Sequence, residues 1–439
     1  MISYIPNTKD ERQQMLSSIG CASMEDLLDH IPEEVRQQGP GPLQGCADEY
    51  ALLCHARSLS QKNRAYPTVL RGAGAYRHFI PPVVRRLSSR GEFVTAYTPY
   101  QPEMSQGILQ AIFEFQTMIC ELTGLEASNA SVYDGATAAA ESLLMFRERG
   151  RGKALVSSAI NPGTLAVIRT YLTAADMDFA LVPQKDGKTD MAALAEMLDD
   201  NTACVLTSQL SYTGQIEDAM EACRLAHDAG AKYIMDINPI AATVLASAGE
   251  MGADAAVGEG QPLGLPLSFG GPYLGFMATT TKNARKLPGR IVGQTTDTEG
   301  RRAFVLTLQA REQHIKRERA GSNICSNQAL CALTASIYMG ALGRQGLVEV
   351  AQSCYKNAHY FAQELCSIAG VTLRYTGDFF HEFVTQSDTD SNIILSALDA
   401  QGILGGLPLN ERDILWCTTE LNTKDELDKA IAIIKEAVK

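Results

Sequence analysis

Residues 153–158 "KALVSS", 179–183 "FALVP", 202–209 "TACVLTSQ" and 232–238 "KYIMDIN" are four apolar runs of strand length. Between them lie three helix-patterned segments, "GTLAVIRTYLTAA" at 163–175, "MAALAEMLDD" at 191–200 and "IEDAMEACRLAHDAG" at 216–230. Strands that alternate with helices of about 10 to 15 residues need crossover connections, so the expected sheet is parallel with right-handed crossovers. An α/β fold built on a large parallel-sheet domain follows.

Working outward, the segment after Pro102 carries the clearest helix. Met104, Ile108, Leu109, Ile112, Phe115, Met118, Ile119 and Leu122 recur at spacings of three and four, and Gly124 supplies a stop. Residues 1–60 are polar and helix-prone but broken by "QQGPGPLQG", which reads as an N-terminal helical extension. Residues 61–324 form the large domain. From 325 a long helical stretch leads into strand "HEFVTQ", helix "NIILSALDAQG", strand "DILWCTT" and a last helix, giving a smaller C-terminal α/β domain at 325–439.

With 439 residues, 45% hydrophobic and 20% charged, the chain can bury a sizeable core and exceeds what one core serves. Lys and Arg total 38 against 50 acidic residues, a net charge of −12, which disfavours nucleic acid as a partner. No apolar run reaches membrane-spanning length and the N-terminus lacks a secretory pattern, so a cytoplasmic protein with no membrane partner is expected. The 11 cysteines contain no CxxC pair, which fits reduced, packed thiols and no metal site.

In parallel sheets ligands bind beyond the carboxyl ends of strands, and three turns there carry information. Asp134-Gly135-Ala136-Thr137 opens a helix; it is either an ordinary cap or a phosphate dock made of free N–H groups. Asp236 closes the strand "KYIMDIN"; it is either a turn-forming aspartate or the partner of a protonated ring nitrogen such as that of pyridoxal phosphate (PLP). The third turn, "GEGQPLGLPLSFGGPYLGF" at 258–276, is where such an enzyme needs a reactive amine, yet neither Lys nor Arg occurs between Lys232 and Lys282. No GxGxxG, GxxxxGK[ST] or HExxH is present, which disfavours a nicotinamide enzyme. Arg77, His78, Tyr97 and Tyr100 sit in polar, aromatic, Pro-stiffened loops suited to a pocket, an interface or a satisfied core.

The run "YTPYQPEMSQGILQAIFEFQTMICELTGLEASNASVYDGATAAAES", with "GAGAYRHFIPP", "SFGGPYLGF" and "REQHIKRERAGSNICSNQAL", resembles the P-protein family of the glycine cleavage system. More narrowly it is similar to the alpha-subunit branch of the two-subunit form, which corresponds to the N-terminal half of the single-chain enzyme. The resemblance implies the aspartate-aminotransferase-like fold of PLP enzymes, fold type I. Active members carry a lysine in a motif like "HKTFCIPHGGGGPG", and placing its two prolines on Pro266 and Pro272 puts that lysine at Gln261. Glutamine forms no imine, so the resemblance implies no catalytic residue on this chain alone, with PLP on a beta subunit in an α2β2 assembly.

The implied reaction is glycine dehydrogenase (aminomethyl-transferring): glycine loses CO2 and its aminomethyl group passes to the lipoyl arm of H-protein. Tyr97, Thr98, Tyr100, Gln101, Ser105 and Gln106 are the expected substrate or interface residues, with Arg77, His78 and Asn323 as secondary candidates. Asp134, Gly135, Thr137 and Asp236 would be vestiges of an ancestral cofactor site. Two other readings stand beside this one: a non-catalytic scaffold of the complex, and a stand-alone PLP enzyme using Lys282 or Lys316.

Overall fold

The computed structural model describes residues 6–36, 41, 45, 48–96, 99–309, 313–320 and 328–438. The chain divides into two compact units, 1–65 and 66–439. The first holds helices Lys9–Ser18 and Glu49–Ser60, begun by Thr8 and Asp48 side chains that accept backbone N–H bonds.

The second unit is built on a seven-stranded sheet of β1 (Ala127–Ser128), β2 (Lys153–Ser157), β3 (Asp178–Val182), β4 (Thr202–Ser208), β5 (Lys232–Ile237), β6 (Ala255–Glu259) and β7 (Gly275–Thr279). Its order is β1-β7-β6-β5-β4-β2-β3. β3, β2, β4, β5 and β6 are mutually parallel, as the alternating pattern requires. Beyond that parallel set β7 runs antiparallel to both β6 and β1, so the whole sheet is mixed. The link from Glu259 to Gly275 contains no helix, and without a crossover the chain returns in the opposite sense.

Period-two alternation fills both faces of the sheet. Leu155, Val205, Tyr233, Met235 and Phe276 pack on one side with helices Gln106–Thr123, Ala219–Asp228 and Ala329–Cys366. Val156, Leu206, Ile234, Val257 and Met277 pack on the other with helices Gly135–Met145 and Pro162–Ala174. The helix expected after Pro102 spans Gln106–Thr123; Met104 lies before it and is 79% exposed. Leu109, Ile112, Phe115 and Ile119 are fully buried, worth roughly 1.5–3 kcal/mol each. Gly124 ends the helix in the left-handed region at φ 68°, where a Cβ would be strained.

The C-terminal sheet contains β8 (Val371–Leu373), β9 (Glu382–Ser387), β10 (Leu407–Pro408) and β11 (Asp413–Cys417), all antiparallel. The long helix leading to it, Ala329–Cys366, is interrupted at Gly343, whose φ of 62° is not helical. A short strand at Thr68–Val69 pairs in parallel with Ile403–Leu404 as a separate two-stranded sheet, so the residues just before the "GAGAYRHF" loop pair with the C-terminal part of the chain and not with the seven-stranded sheet.

Candidate functional site

The carboxyl ends of β4, β5 and β6 and the starts of helices Gly135–Met145 and Pro162–Ala174 enclose a cleft of about 290 Å³. Ser208, Asp236 and Glu259 line it from the strand ends, and Asp134, Gly135 and Asn161 from the helix starts. Tyr76 enters from the "GAGAYRHF" loop, and Glu382 from the start of β9. This is where the fold places ligands.

Among the described residues lining the cleft four are carboxylates and none is a lysine or arginine. Asp236 accepts a hydrogen bond from Ser208 Oγ at 3.0 Å. Enclosure by protein pushes its carboxyl up to about 7, with Ser208 opposing and the Glu259 charge adding to the rise. Glu382 accepts from Ala73 N at 2.6 Å and Tyr76 Oη at 2.8 Å, and burial lifts it to about 7 as well.

Glu259 is bound most completely. Its Oε2 accepts from Gly135 N at 2.9 Å, and its Oε1 from Gln261 N at 2.8 Å and Leu274 N at 3.0 Å. Gly135 is required there, because a Cβ on it would lie 2.8 Å from both the backbone N and the Cβ of Glu259. Burial still raises the Glu259 carboxyl above its ordinary value, the three N–H bonds opposing. Asp134 caps the same helix by accepting from Thr137 N at 2.7 Å.

Gln261 does not open onto the cleft. It is 1% exposed; its Oε1 accepts from Tyr76 N at 2.9 Å, and its Nε2 donates to Tyr76 O at 2.9 Å and Leu265 O at 2.8 Å. The amide therefore clamps the "GAGAYRHF" loop to the turn after β6.

Of the other residues expected from the sequence, Asp134, Gly135 and Asp236 meet at the cleft, whereas Tyr100, Gln101, Ser105 and Gln106 lie apart from its lining. Gln106 binds both Phe304 N and Phe304 O at 2.8 Å, joining its helix to the hairpin of Val292–Thr296 and Arg302–Leu306. Tyr100 lies under the Arg290 guanidinium, 5.5 Å from ring centroid to Cζ, and Ser105 is buried at the helix start. Gln101 is exposed. Tyr97, Thr98 and Asn323 fall outside the described residues. Arg77 is exposed and donates to Pro67 O at 2.9 Å. His78 is buried, its Nδ1 2.8 Å from Glu420 Oε2, which also accepts from Cys354 Sγ at 3.4 Å.

A model of the family "Glycine cleavage system P-protein" matches residues 2–434. This chain belongs to the glycine cleavage system P-protein family. The "Probable glycine dehydrogenase (decarboxylating) subunit 1" of Moorella thermoacetica is 48% identical over 99% of both chains. The protein of the same description from Desulfitobacterium hafniense is 46% identical over 98% of this chain and 99% of its own. A crystal structure of glycine decarboxylase (P-protein) of the glycine cleavage system, in inhibitor-bound form, superposes with a TM-score of 0.90 at 42% identity, covering 99% of this chain and 100% of that one. At fold level the likeness extends to a Burkholderia pseudomallei sphingosine-1-phosphate lyase, with TM-score 0.66 and 14% identity over 92% of this chain and 93% of that one. A C-DES variant with glycine covalently linked to its PLP cofactor gives 0.62 at 15% over 86% of this chain and 98% of its own. The fold is that of the type I PLP-dependent enzymes.

In this member of the P-protein family the cleft does not fit PLP. Among the described residues no lining side chain offers an amine, and the N–H groups of Gly135 and Thr137 already bond to Glu259 and Asp134. Lys282 follows β7, whose Thr279 pairs with Ala255 at the far end of β6 from Glu259, so it lies at the opposite edge of the sheet. Lys316 is on an exposed turn of helix. Sequence reading missed Glu259 and Glu382. Glu259 carried a legible sign, being the last residue of a buried strand; Glu382 carried none, because it reaches the cleft from 306 residues beyond Tyr76.

Proposed function

We propose that this chain is the cofactor-free subunit of a two-subunit glycine decarboxylase, working in the cytoplasm with a second subunit that carries PLP. PLP, bound there, supplies an electron sink that lets glycine lose CO2. The aminomethyl group then bonds to one sulfur of the lipoyl disulfide on H-protein, the S–S bond breaks and the other sulfur takes up a proton. The observation that carries this reading is Gln261: at the position the family's lysine motif aligns with, the side chain is an amide locked by three hydrogen bonds to backbone.

This chain contributes shape and polar groups to a shared site in an α2β2 assembly. The segment 97–106 is our candidate for that contribution: among its described residues Gln101 and Glu103 are exposed polar side chains, and Tyr100 and Gln106 are anchored by Arg290 and Phe304. The scaffold reading differs in one respect, since it requires turnover by the assembled complex to be indifferent to that segment. The reading is tested by finding which chain of the complex holds a reducible cofactor linkage, as set out at the end of the Discussion.

A further inference from the structure

We propose that the Glu259 carboxylate is a resident anion occupying the phosphate-binding position of the cleft, and that it makes the cleft reject phosphorylated ligands. The inference extends the reading above, which places the cofactor elsewhere, by naming the residue that keeps it out.

A helix that begins at the carboxyl edge of a parallel sheet presents unpaired N–H groups and a partial positive charge, which is an anion site. Here the helix Gly135–Met145 starts at that edge, and its first N–H donates to Glu259 Oε2 at 2.9 Å. An oxygen of a phosphate docked on Gly135 would need the place that Oε2 holds. Gln261 N and Leu274 N fix the other carboxylate oxygen, so three backbone donors hold the group in position. The close approach of Gly135 to the Glu259 backbone seats the helix start directly against the strand end that carries this carboxylate.

Charge acts in the same direction as shape. An incoming phosphate would meet Glu259 and Asp134 at the helix start and Asp236 across the cleft, with no lysine or arginine among the described lining residues to offset them. Like charges at such separations disfavour each other strongly in a partly desolvated site. Titratable groups facing Glu259 are Asp134 from the helix start, Asp236 from the neighbouring strand, Tyr273 just before β7 and Cys331 of the helix Ala329–Cys366.

The test uses the full-length chain, titrated with inorganic phosphate and with PLP, and read by phosphorus NMR line width and PLP fluorescence. The wild-type chain is expected to show no saturable binding up to about 10 mM, and Glu259→Ala to bind both at least tenfold more tightly. Asp236→Asn removes one charge from the same cleft without freeing the helix start, and is expected to gain less than threefold. Glu259→Gln keeps the shape and loses the charge, so it serves where the alanine variant does not fold; a gain of threefold or more is expected. Saturable wild-type binding, a folded Glu259 variant with no gain, or an equal gain in Asp236→Asn each overturns the proposal. A folded variant without gain, alongside a reducible lysine found only on the partner subunit, sinks this proposal and leaves the functional reading intact.

Discussion

At residue 261 the chain uses an amide where an amine would be chemically active, and the amide has acquired a structural task. Truncation by Gln261→Ala leaves Tyr76 N, Tyr76 O and Leu265 O without their partner in a buried setting. Each such group costs about 1–3 kcal/mol where fully buried, and the two Tyr76 groups are only partly buried, so a loss at the lower end, about 3 kcal/mol in unfolding free energy, is expected, measured as a lower denaturant midpoint. Asp236 and Glu382 make a second expectation. Both titrate near 7 in the folded chain, above the unfolded carboxylate range. A raised carboxyl binds its proton more tightly when folded, so the stability it confers is complete below about pH 4 and is lost as pH rises to 7. Thermal midpoints should therefore fall from pH 5 to pH 8, and Asp236→Asn, which has no proton to lose, should recover a few degrees at pH 8 and little at pH 5. An unchanged midpoint difference in the variant would show that Asp236 is ionised throughout.

Among the elements, the helices and the parallel strands were readable because their patterns are local: spacings of three and four before Gly124, and apolar runs separated by helical segments. The sense of β7 was less plain, since a strand's direction lies in its connection and not in its own residues; the helix-free link from Glu259 to Gly275 was the available sign. The start of the helix at Gln106, not Met104, follows from the turn in which Gln101 O accepts from Met104 N and Ser105 N. Gln106 then ties this helix to the 292–306 hairpin through both its amide atoms. Gln106→Ala should loosen that hairpin locally, seen as faster amide hydrogen exchange at Phe304 by about tenfold, the equivalent of roughly 1–2 kcal/mol, with the seven-stranded sheet unaffected. Equal protection in the variant would mean that packing of Phe304 against Ile108 and Ile112 alone holds the hairpin.

At the scale of the whole chain, the cleft is assembled from segments no sequence window contains: Tyr76, Asp134, Asp236, Glu259 and Glu382. Asp134 and Asp236 were readable as strand-end and helix-start residues, whereas their company of further carboxylates was not, because only the tertiary fold brings β9 against the "GAGAYRHF" loop. Among the described residues no helix is long and apolar enough to cross a membrane. The molecule keeps the architecture of a PLP enzyme while the described lining of its own cleft is acidic and holds no lysine. The most direct measurement is borohydride reduction of the chain co-expressed with its partner subunit, in the presence of PLP, followed by peptide mapping of both chains. Pyridoxyl-lysine confined to the partner, with none on this chain whether alone or in the complex, is the expected result. Stoichiometric labelling of a lysine on this chain, Lys282 or Lys316 included, would contradict the account and make the protein an enzyme in its own right.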